Sequence, residues 1–334
     1  MAEILRFVYY LSKHLGQFPH MLPYFKKCGG LVFCHNEKMI EQFKKEFSTI
    51  PITSDIYDVL NFNPDVMMYS DYYSIIKGLR AKKVMVFHGM ELKGYYAIKK
   101  DWNKCEEYDL CLLYGDKILN EFKNNNWKIK YEIIGYPLFD EIEDMNNLPL
   151  NKDRKTILIA PTWGDLSLLE KFTDEIIKLS ETYNIIIKVH PITASFESRE
   201  LPINLEKFKK LINAQHDSLI VCQNTYGMSL MKKADMLITD YSSTSCEFMH
   251  FNKPIIIAKP DCTFKQPDIW NVFKICENPS ELKKMVDSQF KNDEMKEQRQ
   301  EYFKQLVYDK ENTTPTKRGI AAIKRMIKKG ETDD

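Results

Sequence analysis

The sequence lacks the marks of several large classes of protein. Its eight cysteines form no CxxC pair, and 334 residues is far beyond the length of disulfide-stapled domains, so we expect reduced and mostly buried thiols. No uninterrupted apolar run reaches signal-peptide or membrane-spanning length, so we expect a cytoplasmic protein. The formal net charge is only +1, which argues against nucleic acid as a partner.

What is present indicates two α/β domains. The chain is longer than one hydrophobic core usually allows, and short β-rich runs alternate with amphipathic stretches throughout. Two doubly wound domains, 1–148 and 149–334, are therefore expected, with the polar stretch Asp144–Asp153 as linker. The predicted strands lie near 31–34, 66–69, 84–87, 110–113 and 132–134, and then near 156–160, 185–189, 219–222, 236–239, 254–258 and 273–276.

In such sheets, ligands bind beyond the carboxyl ends of the strands. The run Val84 to Phe87 ends at His88 and Gly89. An imidazole at this edge could remove a proton from an attacking hydroxyl, and glycine permits close approach of a substrate. The alternative is a histidine that is bonded only to a neighbouring loop carbonyl.

Two further strand ends carry polar or aromatic side chains. In TILIAPTWG, Thr162 could supply a hydroxyl and Trp163 a broad apolar ring to a ligand. The alternative is that the aromatic ring only packs on the turn that ends the strand. In NIIIKVHP, Lys188 and His190 lie two residues apart and so on one face of the strand end. Two cationic groups there suit a nucleotide diphosphate, and an ordinary exposed edge would also accommodate them.

The most informative stretch is ADMLITDYSSTSCEFMHFNKPIIIA. Asp240 makes the turn after a strand, and Ser242, Ser243 and Thr244 begin a helix predicted to reach about His250. Hydroxyls and free backbone amides at a helix start form an anion site. A simple N-cap explains one of these hydroxyls but not all of them.

Taken together, HG, PTW, KVHP, TDYSS and KPII resemble the CDP-glycerol glycerophosphotransferase family of teichoic-acid primases and polymerases, over roughly 84–260. The resemblance implies the GT-B fold class, two Rossmann-like doubly wound domains facing a central cleft. It implies transfer of glycerol phosphate or ribitol phosphate from CDP-glycerol or CDP-ribitol to a glycan or lipid-linked acceptor, with release of CMP. The chain departs from the family at Gly164 and Leu138, where relatives commonly carry arginine.

The resemblance also implies roles for individual residues. His88 matches the general base, His190 lies at the donor phosphates, and Asp240, Ser242 and Ser243 match the donor-binding loop. The sequence contains no Asp-x-Asp pair, so we expect metal-independent transfer without a cofactor. The alternatives are a GT-B glycosyltransferase or a UDP-sugar 2-epimerase that uses a UDP-sugar, and a binding subunit that has lost its chemistry.

Two segments raise the question of a membrane. Lys317–Lys329 contains six basic and no acidic residues, and its apolar residues share one helical face. We expect its apolar face to pack on the N-terminal domain. An exposed basic side could at the same time rest on an anionic membrane surface at the inner face of the plasma membrane. The aromatic and leucine residues of FVYYLSKHLGQFPHMLPYF could also contact lipid, but a buried first helix under the sheet is the more common arrangement and is the one we expect.

Overall fold

A computed structural model describes residues 5–71, 76, 78–90, 104–143, 148–190, 193, 204–222, 227–309 and 312–330. The chain forms two compact units. Unit 1 comprises Met1–His88, Tyr96–Glu141 and Lys304–Asp334, and unit 2 comprises Gly89–Tyr95 and Ile142–Phe303. Residues 144–147 of the expected linker lie outside the described part of the chain.

Unit 1 is built on a parallel sheet of seven strands, in the order β3-β2-β1-β4-β5-β6-β7. The strands are β1 Phe7–Tyr10, β2 Leu31–Phe33, β3 Ile52–Thr53, β4 Val66–Tyr69, β5 Lys82–Val86, β6 Leu110–Leu113 and β7 Tyr131–Ile133. The described helices include the α-helices Leu22–Cys28, Glu37–Glu46, Ile56–Phe62, Asp116–Asn124 and Pro315–Gly330, and the 3₁₀ helices Leu15–His20 and Pro137–Glu141. This order reverses direction between β1 and β4, as in doubly wound folds.

The aromatic N-terminal stretch was predicted to begin with a helix, and this prediction is wrong for its first residues. Phe7–Tyr10 is the central strand β1, which pairs with β2 on one side and β4 on the other. All four of its residues are buried, because a central parallel strand is covered on both faces and therefore shows no alternation. The two-residue edge strand β3 was also not predicted.

The helix Pro315–Gly330 packs on unit 1. Ala322 and Ile323 are buried in its hydrophobic core, and Ile320, Met326 and Ile327 pack against that core. This confirms the prediction that the apolar face of the helix packs on the N-terminal domain. The observed units therefore differ from the predicted domains 1–148 and 149–334. Residues 304–334 belong to unit 1, because the apolar face of this helix is buried there.

Unit 2 is built on a parallel sheet of six strands, in the order β10-β9-β8-β11-β12-β13. The strands are β8 Thr156–Ala160, β9 Asn184–Lys188, β10 Leu219–Cys222, β11 Met236–Thr239, β12 Ile255–Ala258 and β13 Lys274–Cys276, each within a residue or so of its predicted position. The described α-helices are Leu169–Leu179, Leu205–Asn213, Gly227–Lys233, Thr244–Phe248, Leu282–Lys291 and Lys296–Leu306, the last of which crosses into unit 1 at Lys304. The described 3₁₀ helices are Gly164–Leu166, Met249–Phe251, Asp268–Val272 and Pro279–Glu281.

Candidate active site

His88 in unit 1 lies just beyond the carboxyl end of β5. Its Nδ1 makes a short hydrogen bond with the backbone carbonyl of Ser70, which follows β4. A carbonyl oxygen can only accept, so Nδ1 carries the proton in the neutral ring and Nε2 carries the lone pair. The loop-carbonyl bond that the sequence left as an alternative is therefore present, and it selects the tautomer that a base needs.

The surroundings of His88 favour its neutral form. Burial lowers the pKa of the imidazole, and the positive charge of Lys13 acts in the same direction. The bond to Ser70 and the negative charge of Asp71 oppose this shift but do not cancel it. A neutral imidazole near pH 7 can accept a proton.

Two more histidines lie against His88, and sequence reasoning missed both. The ring centroids of His14 and His88 are 5.5 Å apart, and those of His20 and His88 are 6.3 Å apart. Burial lowers the pKa of His14 to about 4 and holds the pKa of His20 well below its usual range. The sequence does carry a signal, because the stretch SKHLGQFPH, which contains both histidines, begins directly after the apolar run FVYYL.

In unit 2, Asp240 holds the PTW turn. Its fully buried carboxylate accepts the backbone N–H of Thr162 at 3.0 Å and that of Leu168 at 2.8 Å. These bonds connect the end of β11 to the turn after β8. Thr162 itself is buried, and the ring centroid of Trp163 lies 6.2 Å from that of His190. The turn, Trp163 and His190 therefore share one edge of the sheet.

Lys188 ends β9, and His190 follows two residues later, as predicted. Both side chains are partly exposed, and the Nζ of Lys188 donates to the carbonyl of Val189 at 3.3 Å. Pro191, which completes the KVHP motif, lies outside the described residues. The described part of the motif thus ends β9 with a partly exposed ammonium and places an imidazole near Trp163.

Local hydrogen bonds occupy most hydroxyls of the serine-rich loop. The Oγ of Ser242 accepts the N–H of Thr244 at 3.4 Å, the Oγ of Ser245 donates to the carbonyl of Ser242 at 2.9 Å, and the hydroxyl of Thr244 bonds that of Thr239 at 3.1 Å. The α-helix covers Thr244–Phe248 and continues directly as the 3₁₀ helix Met249–Phe251, so the helical segment ends near His250 as expected, but only its first part is α-helical. Its dipole is correspondingly small.

Ser243 differs from its neighbours, because its side chain makes no capping bond to the helix it precedes. It instead lies beside Gly89, where an added Cβ would be 3.1 Å from the Ser243 Oγ. Gly89 also has φ of +87°, a conformation that favours glycine. Both the backbone conformation and the approach of Ser243 therefore favour glycine at this position.

The two departures from the family pattern have different surroundings. Gly164 has φ of +66°, and a Cβ there would meet nothing within 4 Å. A side chain at Gly164 would have room, but the backbone conformation would be strained. Leu138 lies in the 3₁₀ helix Pro137–Glu141 of unit 1.

Neither a cluster of metal ligands nor a membrane span is found among the residues that the structure describes. There, no group of three or more His, Cys, Asp or Glu side chains could hold a metal ion. None of the described helices is both long and apolar enough to cross a membrane. Metal-independent transfer stays a prediction from the missing Asp-x-Asp pair.

Comparison with known proteins decides the family. A family model described as CDP-Glycerol:Poly(glycerophosphate) glycerophosphotransferase matches residues 59–323. The chain belongs to this family. The teichoic acid glycerol-phosphate primase of Bacillus subtilis (strain 168) is 27% identical over 257 residues, which cover 66% of this chain and 62% of that protein. The chain thus spans less than two thirds of the length of this relative.

Solved structures agree on the fold. A structure of the wall teichoic acid polymerase TagF superimposes with a TM-score of 0.67 at 16% identity, covering 98% of this chain and 90% of that chain. A putative UDP-N-acetylglucosamine 2-epimerase from Listeria monocytogenes gives 0.64 at 14% identity, covering 97% and 96%. These similarities, together with the two parallel sheets, confirm the α/β class and the GT-B type of fold.

The match to the glycerophosphotransferase family covers all the site residues predicted from the sequence. They run from His88 to Thr244, well inside 59–323. His14 and His20 precede the matched region. The histidine cluster around His88 therefore combines one residue of the family region with two from a part of the chain that the family model does not describe.

Proposed function

We propose that this protein transfers glycerol phosphate, or a related polyol phosphate, from a CDP-activated donor to an acceptor hydroxyl and releases CMP. The chain belongs to the glycerophosphotransferase family, and the observation that supports the proposal is the protonation and tautomer of His88. Its Nδ1–H donates to Ser70, and burial keeps the ring neutral, so that Nε2 is a base at a strand end.

The proposed reaction is displacement at the polyol-bearing phosphorus. The acceptor oxygen forms a new bond to that phosphorus while His88 takes its proton, and the bond from phosphorus to the bridging oxygen breaks. CMP leaves with that oxygen, and His190 stabilises or protonates it. Groups that hold the charge on the phosphoryl oxygens lower the barrier in such transfers.

Donor binding is proposed for unit 2. Lys188 and His190 supply the charge for the diphosphate, and Ser242 and Ser243 supply hydroxyls. Ser243 is the best placed of the serines, because the capping bond to the helix, which would occupy its hydroxyl, is absent. The remaining donor-side residues are Gly89, Thr162, Trp163, Asp240 and Thr244. Among them, Asp240 acts through the PTW turn whose backbone it holds.

The acceptor is proposed to be a glycan or a lipid-linked molecule at the inner face of the plasma membrane. Lys317, Lys324 and Lys328 are exposed, and their spacing places them on one face of the helix Pro315–Gly330. The apolar face of this helix is used by the core of unit 1, so any contact with anionic lipid would be electrostatic. The side chain of Lys329 lies outside the described residues.

Sedimentation with vesicles of anionic lipid tests the membrane contact. Replacing Lys317, Lys324 and Lys328 by glutamate should abolish binding at low salt, whereas the same replacement of Lys38, Lys44 and Lys45 on another helix of unit 1 should not. Equal loss in both triple variants, or in neither, would contradict a specific contribution of this helix.

The donor is tested by calorimetry without added metal. CDP-glycerol, CDP-ribitol, CDP, UDP and UDP-N-acetylglucosamine are titrated into the full chain, and we expect a CDP-polyol to bind most tightly. CMP release is then followed with a synthetic oligo(glycerol phosphate) as acceptor. Preference for the UDP-sugar would move the protein to the alternative class of sugar-nucleotide enzymes and overturn the proposal.

A further inference from the structure

The 3₁₀ helix Leu15–His20 brings a histidine to His88 from each of its ends. His14 is the residue immediately before this turn, and His20 is its last residue. The plane of the His88 ring meets that of His14 at 74° and that of His20 at 63°, so both contacts are edge-to-face. The imidazole of His88 thus meets this short helical segment at both of its ends, through the rings of His14 and His20.

The turn is fastened from within by Gln17, whose side chain is fully buried. Its Oε1 accepts the backbone N–H groups of Ser12 at 3.1 Å and Lys13 at 3.0 Å. Its Nε2 donates to the Oγ of Ser12 at 3.1 Å and to the buried carboxylate of Asp71 at 3.4 Å. A polar side chain that is buried and bonded on both sides has little freedom to move.

Asp71 connects this turn to the group that fixes the tautomer of His88. It directly follows Ser70, whose carbonyl accepts the Nδ1–H. Asp71 also accepts the Oγ–H of Ser12 at 3.2 Å, and its backbone carbonyl accepts the hydroxyl of Tyr108 at 2.8 Å. The same segment after β4 therefore holds His88 on one side and the histidine-bearing turn on the other.

His20 is itself held in place. Its Nδ1 lies 3.1 Å from the hydroxyl of Tyr136, and both side chains are buried. The rings of His20 and Tyr136 also meet edge-to-face, with centroids 5.6 Å apart. A contact from His20 to His88 consequently comes from a ring that has its own anchor.

We propose that His14 and His20 are positioning residues that hold the His88 imidazole in the one orientation in which Nδ1 meets Ser70 and Nε2 acts as the base. The inference rests on the proposed function and adds two residues from outside the family-matched region. Neither histidine transfers a proton in this scheme. They act through the shape of their rings, and a base held in a fixed orientation reaches its proton more often.

Charged and titratable side chains also lie near the histidine cluster. Lys13 and Asp71 form an ion pair at 3.2 Å beside His88, and Tyr136 and Tyr108 lie on the segments after β7 and before β6. Replacing His14 by phenylalanine keeps a planar ring and leaves all four of these groups in place. That variant therefore separates ring shape from imidazole chemistry.

The test compares steady-state CMP release from CDP-glycerol, with oligo(glycerol phosphate) as acceptor, in four proteins. We expect His14→Ala to lower kcat about tenfold with the donor KM unchanged, since a displaced base slows chemistry without weakening donor binding. His14→Phe should recover most of the loss. The matched control is His35→Ala, because His35 follows β2 of the same sheet and its ring packs on Phe33 and Tyr10.

Turnover by His14→Ala within twofold of the wild type would overturn the proposal. So would His14→Phe as slow as His14→Ala, since the imidazole itself would then matter. Should His14→Ala fail to fold by circular dichroism, His14→Asn carries the same comparison.

Nitrogen NMR of the His88 ring gives a readout that needs no turnover. The wild type should show the Nδ1–H tautomer alone, and His14→Ala and His20→Ala should each show a mixture of tautomers. An unchanged single tautomer in both variants would overturn the proposal. A wild type that releases no CMP would instead overturn the proposed function, while the tautomer measurement would still decide whether the two histidines hold the ring.

Discussion

The backbone N–H of Thr162 lies 3.0 Å from both carboxylate oxygens of Asp240, although 78 residues separate the two in the chain. This pair joins the turn after β8 to the loop after β11. The acidic residue of the serine-rich motif thus shapes a second motif.

Replacing Asp240 by alanine should leave the N–H groups of Thr162 and Leu168 buried without this acceptor. We expect the free energy of unfolding to fall by about 3 kcal/mol, given about 1–3 kcal/mol for each buried group left unsatisfied. Asp240→Asn keeps an acceptor and should lose less. Urea unfolding measures both variants, with the exposed Asp217→Ala as control; a loss below 1 kcal/mol in Asp240→Ala would contradict this role.

Replacing His88 by alanine should abolish CMP release and leave donor binding intact. A general base contributes about 10²–10⁴-fold to the rate. Rates from stopped assays and donor affinity from calorimetry separate the two effects, and His216→Ala in unit 2 serves as control. Turnover that persists in His88→Ala would show that another group takes the proton.

Acid should destabilise unit 1 through its histidines. The pKa of His14 is about 4 in the folded protein and near 6.5 when unfolded, so the unfolded chain binds more protons below pH 6.5. The free energy of unfolding should therefore fall as the pH drops from 6.5 towards 4, by about 2–3 kcal/mol for this one residue at pH 4.5.

His14→Phe should remove that part of the pH dependence. Denaturant unfolding of both proteins at pH 7 and pH 4.5 measures the difference. An equal loss of stability in the two proteins would mean that His14 is not kept neutral by the fold.

Gly89 offers a matched pair with Gly78, because their φ angles are +87° and +86° and only Gly89 lies beside another side chain. An alanine at either position should cost about 1–2 kcal/mol from backbone strain. Only Gly89→Ala should also weaken CDP-glycerol binding, because its Cβ would press on the Ser243 hydroxyl. Calorimetry measures the affinity of both variants for CDP-glycerol. Equal affinities would mean that the Ser243 hydroxyl does not contact the donor.

Gly319 lies where the helix Pro315–Gly330 meets Tyr24. Alanine normally stabilises a helix by about 1 kcal/mol relative to glycine, but here its Cβ would lie 2.2 Å from the Tyr24 hydroxyl oxygen. We expect Gly319→Ala to lower the melting temperature, and Tyr24→Phe in the same chain to recover part of the loss. A melting temperature raised by Gly319→Ala alone would mean that the helix can shift at no cost.

Strand positions were predictable from sequence wherever an apolar run was short and bounded by polar residues. Val66–Tyr69, Leu110–Leu113, Thr156–Ala160 and Met236–Thr239 match their predicted bounds. The run Phe7–Tyr10 was missed because aromatic side chains fit a helix or a strand equally well when both faces are buried. The two-residue β3 is too short to leave any periodicity.

The site was predictable where a motif follows a strand, since such residues reach the sheet edge whatever the rest of the fold does. His88, Lys188 and His190 were found in this way. The pairing of Asp240 with Thr162, and the approach of His14 and His20 to His88, join segments far apart in sequence. Such contacts depend on strand order, which no local pattern encodes.

The order of segments along the chain has a consequence for biosynthesis. All of unit 2 precedes residue 304, whereas the sheet of unit 1 begins at Phe7 and receives Ala322 and Ile323 only from its last helix. During translation, unit 2 can close its core while unit 1 still exposes an apolar face that chaperones would recognise. The domain whose synthesis starts first is therefore the last to finish folding.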